Sequence, residues 1–268
     1  MQKTVHYKVK DIELKHIFEC GQCFRWHENA DSSYTGVVEN VVANVLLENN
    51  NLIIEATGEY DWNEYFDLNR DYGLIKNELI KKDKVIKEAI EYGYGIRILK
   101  QDLWEVIVSF LISQNNNIPR IKGCIEKLSK LYGEKITGEY YTFPRPEVIA
   151  KLDVCDLDSV KLGYRAKYLI ETAKLYEEKK FNSSMEAYEW LLELKGIGPK
   201  VANCIMLFGL GYYDSYPIDV WVRKVMKELY GAEGDESIKK LALERFGDYG
   251  GFAQQYLFYY MRDKKGKM

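Results

Sequence analysis

The 268-residue sequence has no apolar run long enough to span a bilayer and no signal-peptide pattern. Its five cysteines are an odd number, without the dense spacing of a secreted disulfide scaffold. Cys20 and Cys23 have the separation of a zinc or redox pair, but no second pair or histidine cluster accompanies them, so incidental thiols are the preferred interpretation. We therefore expect neither a membrane protein nor a disulfide-stabilised module, and the cytoplasm is the expected compartment.

The sequence also has little net charge, and its distribution is more informative than its sum of −3. Residues 1–95 carry 11 Lys/Arg against 17 Asp/Glu, whereas residues 96–268 carry 27 against 24. This asymmetry favours the second part as the surface that meets a polyanion, although scattered solvated charges would give a similar count. Apolar residues at 47% and charged residues at 29% are ordinary for a globular protein.

Two kinds of periodicity divide the chain. Up to about residue 60, alternating and β-branched residues predict a meandering antiparallel sheet from the segments TVHYKV, CFRWHE, SYTGVVENVVANVLLE and NLIIEAT, with a turn at ENNN. Helical spacing predicts helices at 71–92, 102–114, 117–132, 146–152, 155–160, 164–178, 185–194, 199–210, 219–230, 234–246 and 249–262. We expect an α+β protein: an antiparallel sheet domain with a trailing helix over 1–95, then a larger all-helical domain over 96–268.

The segment YEWLLELKGIGPKVANCIMLFGL predicts two helices joined by a short hairpin. Gly196 and Gly198 permit positive φ and close backbone approach, and Pro199 suits a first helical position. The amides around Gly198 would then face a phosphate at the positive end of the second helix. Lys200 lies at the same end. By itself the hairpin could equally be an ordinary turn between helices.

Asp219 stands where an N-cap belongs, directly before the helical segment VWVRKVMKELY. Together with the hairpin and Lys200, it resembles the helix–hairpin–helix and Gly/Pro…Asp loop signature of base-excision DNA glycosylases. Within that superfamily, a lysine at the position of Lys200 marks the bifunctional branch, whose members remove a base and also nick the strand.

Four further segments resemble one family of this superfamily, the 8-oxoguanine DNA glycosylases. They occur in the family's order, and with the hairpin they extend the resemblance over nearly the whole chain: CGQCFRW at 20–26, SQNNNIPRI at 113–121, LGYRAKY at 162–168 and GGFAQQYLF at 250–258. The resemblance implies a monomeric, nucleoid-associated enzyme that acts on double-stranded DNA containing 8-oxoguanine. It implies no association with a membrane. Such an enzyme must first extrude the damaged nucleotide from the duplex.

The resemblance implies a catalytic pair. Lys200 would attack the sugar C1′ as a neutral amine, expel the base and form a Schiff base, and β-elimination would then cleave the strand. Asp219 would stabilise the positive charge that develops on the sugar.

Four residues are expected to bind the lesion base. The Gly21 carbonyl would accept a hydrogen bond from N7–H, which guanine lacks. Phe258 would stack on the purine, Gln254 would bond its Watson–Crick edge, and Cys204 would cover the opposite face. A core phenylalanine beside a surface glutamine, and a buried structural cysteine, are the simpler alternatives for these residues.

Four other residues are expected to probe the duplex opposite the lesion. Asn115 would fill the space left by the extruded base, Arg120 and Arg165 would donate to the widowed cytosine, and Tyr164 would wedge beside it. Surface salt bridges are the alternative role for the two arginines.

The resemblance also implies that the hairpin holds a structural K+, Na+ or Ca2+ ion through the carbonyls of Leu192, Leu194 and Ile197, without a catalytic role. We expect no required cofactor and no iron–sulfur cluster, because Cys204 is the last cysteine. One departure concerns phosphate contact, since Trp221 stands where the family commonly has a histidine.

Two alternatives remain open at this point. The chain could be a glycosylase for another oxidised or alkylated purine, although Lys200 argues against the alkylpurine enzymes, which use an aspartate and water. It could also be a non-catalytic helix–hairpin–helix DNA-binding module, although such a module has no need for Lys200, Asp219, Gln254 and Phe258 together.

Overall fold

β-Branched and aromatic residues in the first part of the chain form one antiparallel sheet of five strands. The computed structural model describes residues 3–265. The strands lie in the order β1-β5-β4-β3-β2 and comprise β1 (Lys3–Lys8), β2 (Trp26–Glu28), β3 (Tyr34–Val38), β4 (Val41–Glu48) and β5 (Asn51–Ala56). The predicted meander is therefore confirmed for β2 to β5, and β1 completes the far edge by pairing with β5.

Two tight turns set the register of this sheet. Asn49 and Asn50 both have positive φ, and they join β4 to β5 where Glu48 pairs with Asn51. Asparagine tolerates this conformation better than most residues, so the predicted turn at ENNN is confirmed. The run 33–48, predicted as a single segment, contains a second turn at Glu39, whose φ is 51°. It therefore forms two strands.

A short helix, α1 (Leu14–Phe18), covers the sheet and was not predicted. Its Phe18 ring stacks on Trp26 with the ring centroids 4.4 Å apart. Trp26 in turn occupies the space beside Gly36, where a Cβ atom would lie 2.3 Å from the indole. A helix of five residues is too short to show helical spacing of its apolar residues in the sequence. It becomes evident only from this packing in the structure.

From residue 62 onward the chain is largely helical, as predicted. The helices are α2 (Trp62–Tyr65), α3 (Tyr72–Lys82), α4 (Lys87–Tyr92), α5 (Leu103–Ser113), α6 (Ile118–Tyr132), α7 (Pro146–Ile149), α8 (Arg165–Leu175), α9 (Ser184–Glu193), α10 (Pro199–Phe208), α11 (Val220–Tyr230), α12 (Asp235–Phe246) and α13 (Gly250–Lys265). Two 3-10 segments (Val154–Val160, Gly247–Tyr249) and a small hairpin of β6 (Lys135–Thr137) and β7 (Tyr140–Tyr141) complete the described chain. The expected α+β class is confirmed. The segment 71–92 is two helices.

The loop that follows α1 lies between the sheet core and the helical core. Cys20 and Phe24 pack in the helical core, whereas Cys23 packs in the sheet core. The buried Gln22 side chain donates to the Arg97 carbonyl at 2.7 Å and accepts from the Leu99 amide at 2.9 Å. These bonds hold the loop on the strand-like segment that leads into α5.

Across residues 3–265, no helix combines the length and apolarity needed to cross a bilayer. The same residues contain no group of three His, Cys, Asp or Glu side chains placed to hold a metal ion.

Candidate active site

A cavity of about 990 Å³ opens between the hairpin, the start of α11, the end of α5 and one side of α13. It brings together residues predicted from separate segments of the sequence: Gly21, Asn115, Gly198, Lys200, Cys204, Asp219, Trp221, Gln254 and Phe258. Three phenylalanines that the sequence did not single out also line it, namely Phe24, Phe110 and Phe208. The cavity is large enough for a flipped nucleotide, within the usual range for ligand sites.

Lys200 is the second residue of α10 and is half-buried. Its ammonium lies 5.6 Å from the centre of the Phe110 ring. Cys204, one turn further along the helix, is buried. Burial raises the pKa of the Cys204 thiol, and the nearby charge of Lys200 opposes this only in part. A neutral sulfur therefore faces the cavity, which is the state suited to contact with an uncharged base.

Asp219 is the N-cap of α11, as predicted. Its carboxylate accepts a hydrogen bond from the Val222 amide at 2.8 Å. Burial raises the pKa of the Asp219 carboxyl above its ordinary value, while the cap hydrogen bond and the charge of Lys200 act in the opposite direction. The cap fixes the carboxylate on the same cavity wall as the Lys200 amine.

The two hairpin glycines, Gly196 and Gly198, differ in backbone conformation and in surroundings. Gly196 has a φ of 78°, and a Cβ atom on it would lie 2.5 Å from the Tyr168 ring. Gly198 has a φ of −99°, so the expectation of positive φ is wrong for this residue. Gly198 is instead the N-cap of α10, with Pro199 at the first helical position as predicted. No described atom lies within 4 Å of the position of a Cβ on Gly198, which leaves its backbone open to approach.

The expected cation ligands belong to the end of α9 and to the hairpin that follows it. The Leu194 carbonyl already accepts the Ile197 amide at 3.2 Å. A carbonyl oxygen has two lone pairs, so this bond leaves Leu194 able to bind a cation as well. Leu192 is exposed and Ile197 is buried. The residues are compatible with a structural cation, and the site stays a prediction.

On the lesion side of the cavity, Gly21 has a φ of 81° and lies against Phe258; a Cβ on Gly21 would be 3.4 Å from the Phe258 ring. Gln254 is buried, and its Oε1 has no hydrogen-bond partner among the described residues. A buried amide oxygen without a partner is costly unless something completes it. Gln254 is thus ready to receive a donor from an occupant of the cavity.

The residues predicted to probe the duplex lie at and beyond the rim of the cavity. Asn115 has a positive φ of 47° and is exposed, as are Arg120 and Tyr164. Arg120 donates to the Lys161 carbonyl at 3.3 Å. Its exposed position leaves the other guanidinium donors accessible.

Arg165 is buried, and its donors are used within the protein. It donates to the carbonyls of Gln114, Asn115 and Leu162, at 2.9, 3.0 and 3.2 Å respectively. The observed position therefore makes it a support for the loop that carries Asn115. Its predicted contact with the opposite base stays a prediction. Two residues of α13 beside the cavity, Gln255 and Arg262, were missed altogether, because an almost wholly buried helix shows no polar face that would single them out.

The two-helix hairpin, the lysine on its second helix and the capping aspartate define a helix–hairpin–helix base excision DNA repair protein. Residues 108–246 match the family model described as "HhH-GPD superfamily base excision DNA repair protein". Residues 4–107 match the one described as "8-oxoguanine DNA glycosylase, N-terminal domain". The chain belongs to the 8-oxoguanine DNA glycosylase family, and it is a DNA N-glycosylase with lyase activity.

Relatives and solved structures agree with this assignment. The chain is 30% identical to a probable N-glycosylase/DNA lyase of Methanothermobacter thermautotrophicus, covering 76% of this chain and 73% of the relative. It is 28% identical to the N-glycosylase/DNA lyase of Saccharomyces cerevisiae, over 92% and 83% of the two chains.

Among solved structures, MBOgg1 bound to a low-affinity DNA ligand shares 46% identity with a TM-score of 0.90, over 97% of this chain and 96% of that one. The Clostridium acetobutylicum 8-oxoguanine glycosylase/lyase, bound to duplex DNA with cytosine opposite 8-oxoguanine, shares 40% identity with a TM-score of 0.91, over 98% and 97%.

Proposed function

We propose that this protein is a bifunctional DNA glycosylase/AP lyase that excises 8-oxoguanine from double-stranded DNA, with a preference for lesions opposite cytosine. The observation that carries the proposal is the shared cavity: Lys200 and Asp219 line it together with Gly21, Gln254 and Phe258. The Clostridium acetobutylicum glycosylase/lyase is described in complex with duplex DNA that has cytosine opposite 8-oxoguanine, and the two relatives are named as N-glycosylase/DNA lyases. The protein would act as a monomer, associated with the nucleoid in the cytoplasm.

The base enters the cavity after extrusion from the duplex, at a cost of a few kcal/mol. Phe258 stacks on the purine, an interaction worth about 1–3 kcal/mol for a base on an aromatic ring. The Gly21 carbonyl accepts the N7–H of 8-oxoguanine and repels the N7 lone pair of guanine. The unpartnered Oε1 of Gln254 accepts from a donor on the Watson–Crick edge.

The chemistry begins when the neutral amine of Lys200 attacks C1′. A C–N bond forms as the glycosidic bond breaks, and the base leaves with the bonding electron pair and the proton that the amine loses. The C1′–O4′ bond then opens, with O4′ taking a proton from solvent, to give an iminium between Lys200 and C1′. The iminium allows loss of a C2′ proton, and the C3′–O bond breaks by β-elimination. Asp219, close to C1′, stabilises the positive charge that develops on the sugar.

On the opposite strand, Asn115 fills the vacated space and Arg120 donates to the acceptor edge of cytosine. Tyr164 would kink the DNA beside it, and Arg165 would hold the loop between them. The open backbone at Gly198, with Trp221 nearby, receives a phosphate at the N-terminus of α10. A K+, Na+ or Ca2+ ion on the carbonyls of Leu192, Leu194 and Ile197 would strengthen this phosphate contact.

The test is covalent trapping by borohydride on an 8-oxoguanine·cytosine duplex. The wild-type protein should give an adduct on a denaturing gel, and Lys200→Gln should give none while still binding the lesion duplex. Lys195→Gln is the matched control, because Lys195 is an exposed lysine on the same hairpin. An adduct with Lys200→Gln would place the nucleophile elsewhere. Trapping on a duplex with another damaged purine, and not on 8-oxoguanine, would replace the proposed substrate.

A further inference from the structure

The last helix contacts the loop that carries Gly21 through two side chains. Gln255 Nε2 donates to the Cys20 carbonyl at 2.8 Å. Arg262 Nη2 donates to the Glu19 carbonyl at 2.5 Å. The two peptide units before Gly21 are thereby bonded to α13, the helix that also carries Gln254 and Phe258. We call Gln255 and Arg262 the loop anchor.

Both side chains of the loop anchor are set in place by their surroundings. Gln255 is 1% exposed. The Arg262 side chain is 16% exposed and pairs with Asp263 at 3.1 Å. Its guanidinium lies 5.4 Å from the centre of the Phe258 ring and 5.4 Å from that of Tyr259. A planar guanidinium held between rings and a carbonyl has little freedom to turn.

Arg262 also contacts the place where the loop comes nearest to Phe258. A Cβ on Gly21 would lie 3.6 Å from Arg262 Nη1 and 3.4 Å from Phe258. Nη1 is buried and has no hydrogen-bond partner in the described chain. An unmade bond on a buried donor is costly, so Arg262 keeps its bond to the Glu19 carbonyl with one donor unsatisfied beside Gly21.

On the opposite side, the loop is bonded to a different part of the fold. Gln22 holds the chain at Arg97 and Leu99, and Lys122 of α6 pairs with the Glu19 carboxylate at 3.0 Å. The loop is therefore fixed from two directions. Among the hydrogen bonds of the described residues, those of the loop anchor join this loop to the helix that carries Phe258 and Gln254.

We propose that Gln255 and Arg262 are positioning residues for lesion recognition: they fix the Gly21 carbonyl relative to Phe258 and Gln254, and so set the width of the slot that takes the base. The proposal rests on the proposed 8-oxoguanine function. Neither side chain has to touch the lysine or the sugar, so the loop anchor acts on placement of the base before excision and not on the later β-elimination. A displacement of about 1 Å in such a site can reduce a rate by roughly 100-fold.

The distinction between recognition and cleavage provides the test. An abasic site has no base to place in the slot, so β-elimination at a preformed abasic site does not need the loop anchor. Arg262→Met and Gln255→Leu should each slow single-turnover excision of 8-oxoguanine by about 10-fold to 100-fold. β-Elimination at the abasic site should stay within about twofold of wild type, because Lys200 and Asp219 are untouched. Arg262→Lys should recover part of the excision rate.

A matched control and a double variant complete the experiment. Lys264→Met removes an ion pair from the same helix, the one with Glu88, and should leave both rates unchanged. The two anchor substitutions together should slow excision by less than the product of their separate effects, because both act through one loop.

Three results would overturn the proposal. The first is an unchanged excision rate in both anchor variants, and the second is an equal fall in excision and in abasic-site cleavage. The third is an Arg262→Met protein that melts far below wild type, together with an Arg262→Lys protein that folds normally but is no more active than Arg262→Met. If the wild-type protein itself fails to release 8-oxoguanine, the proposed function fails first. If the wild-type protein excises 8-oxoguanine and Arg262→Met excises it equally fast, the loop-anchor proposal fails and the proposed function stands.

Discussion

The Asp219 carboxylate accepts a hydrogen bond from the Val222 amide at 2.8 Å. One side chain thus begins α11 and lines the same cavity as the Lys200 side chain. The structural and the chemical roles of Asp219 can be separated, because asparagine caps a helix about as well as aspartate but carries no charge.

Asp219→Asn should therefore fold like wild type and lose activity. We expect the single-turnover excision rate to fall by about 100-fold or more, in the range found when one electrostatic partner of a transition state is removed. Asp219→Ala should show the same fall in excision rate and should also lose about 1 kcal/mol of stability, because the helix cap is missing. Thermal melting and excision kinetics on the two variants check this. An active Asp219→Asn would show that the charge is not needed.

The two hairpin glycines should respond differently to alanine. Gly196→Ala places a Cβ 2.5 Å from the Tyr168 ring at a φ of 78°, so it should destabilise the protein by more than about 1 kcal/mol. Gly198→Ala has an ordinary φ and open space, so its melting temperature should match that of wild type. It should still weaken duplex binding, because the methyl group stands where a phosphate approaches. Equal melting temperatures for the two variants would contradict this assignment.

Arg120→Ala should erode discrimination between opposite bases. Loss of a bidentate base contact is worth about 1–3 kcal/mol of discrimination, so the ratio of excision rates opposite cytosine and opposite adenine should fall about 10-fold or more. Arg145→Ala is the control, since Arg145 is an exposed arginine paired only with Glu134 in the described structure. An unchanged ratio would remove Arg120 from the readout of the opposite base.

The stability of the protein should depend on pH through Glu105. Burial raises the pKa of Glu105 to about 7, although Arg25 lies 3.4 Å away and acts in the opposite direction. Between its ordinary value of 4.5 and about 7, the folded protein holds a proton that the unfolded chain has released. The contribution of Glu105 to stability should therefore fall as the pH rises through this window, and it should be constant above it.

Glu105→Gln cannot ionise, so it should lack this decline. Melting curves at pH 5 and pH 7.5 test the prediction, with Glu147→Gln, a change at an exposed glutamate of α7, as the control. A wild-type protein whose melting temperature does not fall relative to Glu105→Gln between the two pH values would contradict it.

The sequence predicted those parts of the site that depend on local order. Lys200 and Asp219 follow from a hairpin and a cap, both of which are short-range patterns, and the structure places them on one cavity. The φ of Gly198 could not be predicted, because a glycine indicates either an unusual backbone or a close approach, and the sequence does not say which. In the structure, Gly196 combines a positive φ with a close approach of the Tyr168 ring, whereas Gly198 has an ordinary φ and open space around it.

The missed residues depend on contacts between distant segments. Phe110 lies in α5, where nearly every side chain is buried, so nothing in its sequence marks the one that faces Lys200. Arg262 also lies in a helix whose side chains are nearly all buried, and its partner is the main-chain carbonyl of Glu19. Every residue has a main-chain carbonyl, so the residue types do not indicate which carbonyl accepts this bond. Only the fold brings Arg262 and Glu19 together.

The bond between Gln255 and Cys20 spans 235 residues of sequence. The loop that carries Gly21 is therefore synthesised early, and the helix to which it is bonded is synthesised more than two hundred residues later. Until α13 has been made and has docked, the cavity lacks the wall that carries Gln254 and Phe258.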